Sequence, residues 1–156
     1  MNKIFTFLVV VFQIVFSQAA QISTSEDFAK TEFCKKLQCS ASSPYKEKNG
    51  EMAILYRLKD SLSFDLLSTV DDGKLKTLTF KFINEEGEVD KQLVALLLTS
   101  ALGRSPSEAE LEKVVAGAKT KTTRDQFASA EKVKFDRLSV VSGKVLKKPT
   151  IEIEFQ

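Results

Sequence analysis

Apolar side chains are densest between Val89 and Leu102, where Leu93, Val94, Leu96, Leu97, Leu98, Ala101 and Leu102 fall within ten residues. At that density they point in nearly every direction around a helix, so the pattern predicts one buried on most sides. The run is too short to cross a bilayer, and Lys91 and Arg104 near its ends suit a soluble core helix. Asn84 to Glu88 forms an acidic approach that suits the positive end of the helix, and Gly103 stands where a helix-ending glycine belongs. Ser105-Pro106-Ser107-Glu108 then signals a second start, with Ser105 as cap, Pro106 as first helical residue and Glu108 as third. Leu111, Val114, Val115 and Ala118 make a single stripe on this second helix. So short a link predicts an antiparallel helical hairpin.

Upstream, Ser23-Thr24-Ser25-Glu26 has the form of a capping box and predicts one helix running toward Lys36, with Phe28, Phe33 and Leu37 as its apolar side. Ser40 to Gly50 is polar, contains Pro44 and an Asn49-Gly50 turn signal, and reads as a loop. Met52, Ile54, Tyr56 and Leu58 alternate as in a half-buried strand. The same parity returns in Leu62, Phe64 and Leu66, which suggests a turn at Lys59-Asp60-Ser61.

Asp71-Asp72-Gly73 marks the next hairpin. A three-residue loop there sets Leu66 opposite Leu78, Phe64 opposite Phe80 and Leu62 opposite Phe82, all on one face. A two-residue loop at Asp72-Gly73 would set Phe64 against Lys81 and turn apolar groups to solvent, so the three-residue loop is expected. Further on, Thr123-Arg124-Asp125-Gln126 can cap a short helix holding Phe127, Ala128 and Ala130. Val133, Phe135, Leu138 and Val140 read as strand, Ser142-Gly143 as a turn, and Ile151, Ile153 and Phe155 as a final half-buried strand. The sum is an α+β fold: an antiparallel sheet of about four to six strands, covered on one face by a helical hairpin, with an N-terminal helix.

The N-terminus changes the picture of where the protein goes. Lys3, the apolar run Ile4–Phe16 and the small residues around Ser17-Gln18-Ala19 are the parts of a secretion signal, with cleavage expected after Ala19. Residues 1–19 are thus expected to be removed, and residues 20–156 to form a single α+β domain, secreted or periplasmic, with no stable membrane span. Cys34 and Cys39 are the only cysteines, and in an oxidising compartment the pair is expected to form a disulfide. The spacing is that of neither a redox motif nor a zinc site.

Charge is unevenly spread. From Lys113 to Lys148 there are ten basic against three acidic side chains, a net of +7. Lys119, Lys121, Arg124, Lys144, Lys147 and Lys148 are candidates for a surface that meets an anionic partner, although a solvated face accounts for scattered lysines as well.

Histidine is absent, which removes the usual general base, the Ser-His-Asp and Cys-His mechanisms and the commonest metal ligand. The chain carries no phosphate-binding, dinucleotide, metalloprotease or EF-hand motif. No catalytic, cofactor-binding or metal-ligating residue is therefore nominated, and no cofactor is expected. Few aromatics lie among the basic residues, which argues against nucleic acid. The expected function is non-enzymatic: a small exported binding or accessory protein that contacts another protein or an envelope component, as inhibitor or adaptor. One alternative is a carrier of a small apolar ligand or lipid held between sheet and helices. Another is a histidine-free hydrolase using paired carboxylates, with Asp60 and Asp65 as candidates.

Overall fold

The computed structural model describes residues 22–59, 64–82, 88–120, 130–145 and 147–156, with the backbone alone at Phe64. The expected leader, Asp60 to Leu62, the approach from Asn84 to Gly87, and the helix expected after Thr123 lie outside these residues.

Two short helices occupy the place of the single N-terminal helix. Helix α1 (Ser25–Ala29) is capped by Thr24, whose side chain accepts from the Asp27 N–H while the Asp27 carboxylate accepts from the Thr24 N–H. The capping box is real, but its acid is Asp27 rather than Glu26. Helix α2 (Glu32–Leu37) has a cap of its own: Thr31 accepts from the Cys34 N–H and donates its hydroxyl to the Phe28 carbonyl at 2.7 Å. A threonine that can satisfy both helix ends competes with helix continuation, and here it wins.

Eight strands follow: β1 (Ser40–Ala41), β2 (Tyr45–Lys46), β3 (Met52–Arg57), β4 (Phe64–Asp71), β5 (Lys74–Phe82), β6 (Glu131–Lys134), β7 (Leu138–Val145) and β8 (Lys148–Phe155). They form one antiparallel sheet in the order β1-β3-β4-β5-β8-β7-β6, with β2 also on β3. The expected four to six strands are exceeded because Ser40–Lys46, read as loop, lends two short pieces to the free edge of β3. The last strand lies in the middle of the sheet, where β5 and β7 flank it.

The β4–β5 hairpin corrects the expected register. Its loop is the two residues Asp72 and Gly73, both with positive φ (48° and 75°), as a type I′ turn requires. Parity is restored by a bulge: Val70 faces Leu75, yet Thr69 faces Thr77, so one extra residue sits on β5. Leu66 accordingly faces Phe80, and the backbone of Phe64 faces that of Phe82. The apolar residues share a face as expected, but through a two-residue loop and a bulge rather than through a three-residue loop.

Ser142 and Gly143 do not turn the chain. Strand β7 continues to Val145, which pairs with Lys148 at the start of β8. The small residues serve a close approach instead: a Cβ added to Gly117 would come within 2.1 Å of Ser142 Oγ.

Helix α3 (Lys91–Leu102) starts at Asp90, whose side chain accepts from the N–H groups of Gln92 and Leu93, and ends at Gly103 with φ 69°. Val94, Leu97, Leu98 and Ala101 are buried and Leu93, Ala95, Leu96 and Leu102 partly so, as its density of apolar residues requires. Helix α4 (Glu108–Lys119) begins two residues later than expected. Ser107 is its cap, and Glu110 closes the capping box by accepting from the Ser107 N–H at 2.6 Å.

The two helices do not form an antiparallel hairpin. Lys91, at the start of α3, pairs with Glu108 and with Glu112 (3.6 Å) in the first turns of α4. Twelve residues of helix span roughly 16 Å, too far for these contacts if the start of α4 lay beside the end of α3. The N-terminal ends meet instead, and Arg104 in the link holds Glu110 at 3.1 Å.

Register puts Tyr56, Leu66, Phe80, Ile151 and Ser142 in one row across the sheet, and Ile54, Ser68, Leu78, Ile153, Val140 and Val133 in the next. On this face Phe28 meets Tyr56 edge-on at 5.1 Å and Phe33 meets Phe80 at 6.1 Å. Val94, Leu97, Leu98, Leu111 and Val114 belong to the same core.

Candidate functional site

Cys34 and Cys39 are joined by a disulfide across 4.8 Å between Cα atoms, as expected. Gln38 between them takes a left-handed conformation (φ 49°), which lets the chain reverse at the end of α2. The bridge delivers the chain to the edge of β3. There Ser42 N–H donates to the Leu55 carbonyl (2.8 Å) and Leu55 N–H donates to Ser42 Oγ (3.1 Å). Beyond Pro44, Tyr45 pairs with Ala53 and Lys46 with Met52, and a turn through Gly50 closes the hairpin.

At this corner Tyr45 is 42% and Met52 39% exposed, the two large apolar side chains left open among the described residues. Tyrosine and methionine are enriched at protein interfaces, where they bury much area for little lost entropy. Sequence reading missed both. Met52 passed for the first inward residue of a strand, and Tyr45 for loop; that the two flank one turn at a sheet corner is visible only once β2 pairs with β3.

The face of the sheet away from the core carries two mixed rows: Leu55, Leu67, Thr79, Glu152, Val141 and Lys132, then Ala53, Thr69, Thr77, Glu154, Ser139 and Lys134. Threonine suits such a pleated, half-buried surface. Thr79 donates to Glu152 (3.1 Å), and Glu154 accepts from Lys132 (2.7 Å) and Ser139 (2.5 Å). Burial pushes the Glu152 carboxyl above the usual carboxylate range, whereas the bonds from Lys132 and Ser139 hold that of Glu154 below it. Two acids with opposed environments can divide proton donor from proton acceptor. Both are already engaged by neighbours, however, and neither is one of the acids expected from sequence. Asp65 is exposed and lies opposite Lys81, while Asp60 is outside the described residues.

Four of the six candidate basic residues fall together. Lys119 ends α4, and Lys144, Lys147 and Lys148 border the β7–β8 turn. The N–H of Lys144 donates to the Thr120 carbonyl at 3.1 Å, which joins the two groups. Lys121 and Arg124 lie outside the described residues.

Among the described residues no cluster of three Cys, Asp or Glu is placed to hold a metal ion, and no helix is long and apolar enough to cross a membrane. No protein-family model matches the chain, and no curated protein or solved structure matches it.

Proposed function

We propose that this is an exported binding protein that acts by contact with another protein, and that the corner holding Tyr45 and Met52 is the contact. The carrying observation is the exposure of Tyr45, on a segment tethered at one end by the Cys34–Cys39 disulfide and along its length by hydrogen bonds to β3, and of Met52 at the start of β3, on the opposite face of the same corner. A tethered loop loses little freedom when it binds, so its apolar contacts convert into affinity rather than into ordering. Helices α1 to α4 cover the face of the sheet that carries Phe80 and Ile151 and steady the corner from behind. The aromatic pairs Phe28–Tyr56 and Phe33–Phe80 and the Gly117–Ser142 approach support that reading. Export rests on the leader-like residues 1–19 and agrees with the disulfide.

The test is photo-crosslinking from position 45 in the producing host, with position 30 just after α1 as control, followed by affinity measurement on the partner recovered. Tyr45→Ala and Met52→Ala should each weaken binding by about 1–3 kcal/mol while shifting the stability of the protein by less than about 0.5 kcal/mol. Equal crosslinking from both positions, or undiminished affinity in the Tyr45→Ala/Met52→Ala protein, overturns the assignment.

A further inference from the structure

We propose that the end of the sheet at the β7–β8 turn is a contact surface for anionic phospholipid headgroups, independent of the Tyr45–Met52 corner. Folding gathers lysines that are far apart in the chain. Register sets Lys144 beside Pro149 and Val145 beside Lys148, and the Lys144–Thr120 backbone bond draws in the last turn of α4 with Lys119. Alternation puts Lys144 on the core side of the sheet and Lys148 on the other, with Lys147 in the turn between them.

Lys119 and Lys147 are exposed, Lys144 and Lys148 half-buried. Lys119 and Lys148 form no ion pair among the described residues. Among the described residues the acid nearest in register is Glu131, opposite Ser142, which precedes Lys144 by two positions on β7. Lys147 also has φ 68°, a left-handed conformation that favours glycine or asparagine. A charged residue held there against local preference points to a use for the charge.

The arrangement selects the partner. Lysine is a point charge without the fork that grips one carboxylate or phosphate, and these four gather at one end of the sheet from two strands, a turn and a helix. Charges so disposed fit an extended negative surface, which a phospholipid bilayer presents. Few aromatic residues lie among these lysines along the chain to stack on nucleic-acid bases. Val145, half-buried beside them, gives the end an apolar component suited to the headgroup boundary.

The experiment is co-sedimentation of the exported protein with vesicles of phosphatidylcholine, alone or with about 30% phosphatidylglycerol, at about 0.05 M and 0.5 M salt. Binding is expected to the anionic vesicles only, and at low salt only. Lys119→Gln/Lys147→Gln/Lys148→Gln should weaken it by about fivefold per lysine, roughly a hundredfold in all. A control with equal charge loss elsewhere, Lys30→Gln/Lys48→Gln/Lys74→Gln, should leave most of the binding intact. Urea midpoints check that both variants fold. No sedimentation with anionic vesicles at low salt overturns the proposal, as does equal loss in the two triple variants. Tight binding of soluble polyphosphate with no sedimentation on vesicles overturns the lipid assignment.

Discussion

Replacing Gly117 by alanine tests the one place where helix and sheet come closest. In an ordinary helix the change would stabilise by about 1 kcal/mol, because alanine is the best helix former and glycine among the worst. Here the added Cβ would lie 2.1 Å from Ser142 Oγ, 2.8 Å from Glu131 Cβ and 3.3 Å from Ser142 Cβ. The hydroxyl can swing aside, but Ser142 is fully buried, and the Glu131 Cβ can move only with its strand. The helix must therefore lift by the better part of an ångström, loosening Leu111, Val114 and Ala118 against the sheet. Overpacking of this kind costs about 1–3 kcal/mol, so after the gain in propensity Gly117→Ala should destabilise by up to about 2 kcal/mol.

Ser142 sharpens the test. Its hydroxyl is buried and has no hydrogen-bond partner among the described residues. Ser142→Ala should therefore stabilise by about 1 kcal/mol. It also removes the worst clash, so the double variant should be more stable than the sum of the two single changes by at least about 1 kcal/mol. Urea unfolding of all four proteins, with m-values compared to exclude changes in the unfolded state, measures the coupling. A Gly117→Ala protein more stable than the parent, or strict additivity in the cycle, would refute the placement of α4 on β7.

At the β4–β5 turn both central residues have positive φ, so Asp72→Ala should cost about 1 kcal/mol, Gly73→Val more, and Asp72→Asn less than about 0.5 kcal/mol, as urea midpoints can read. Glu152 has a raised pKa, so its contribution is complete below the unfolded value near 4.5 and declines as pH rises through the folded one. Glu152→Gln should therefore gain on the parent between pH 4 and pH 7, and thermal melts showing a constant difference would contradict this. Glu110 has the opposite sign: Arg104 and the Ser107 N–H hold it at about 2, so its stabilisation is present above pH 4.5 and lost as pH falls toward 2. Arg104→Gln should cost about 1 kcal/mol at neutral pH, the pair being partly solvated, and should flatten the acid limb of the stability curve. Cys34→Ala/Cys39→Ala should cost about 2 kcal/mol, since the bridge closes a short loop; calorimetry that finds no loss would mean the link constrains little.

Elements with strong local chemistry were legible before folding was considered. Gly103 ends α3 as its position implies, and the alternation of Ile151, Ile153 and Phe155 marks β8. Where two local signals competed, the reading slipped by a residue or two. Ser105 and Ser107 both offer a cap, and Glu110, reachable only from Ser107 and gripped by Arg104, decides between them. Ser142-Gly143 resembles a turn because small residues serve turns and close packing alike; the helix above them is the missing information. The candidate corner was illegible for a related reason. Two-residue strands have no periodicity to detect, so nothing in the chain announces that Tyr45 and Met52 flank one turn.

By itself the amino-acid sequence determined which residues face inward, where the long helices lie and that the two cysteines join. Each of these depends on neighbours within a few positions, or on a charge and hydropathy pattern that repeats at the period of the element. Tertiary structure alone decided the strand order, the bulge that reconciles a tight turn with an apolar face, and the meeting of the N-terminal ends of α3 and α4. It also decided the gathering of Lys119 with Lys144, Lys147 and Lys148. Those outcomes depend on which distant surfaces pack against each other, and the free energy that selects among them comes from the whole core rather than from any one segment.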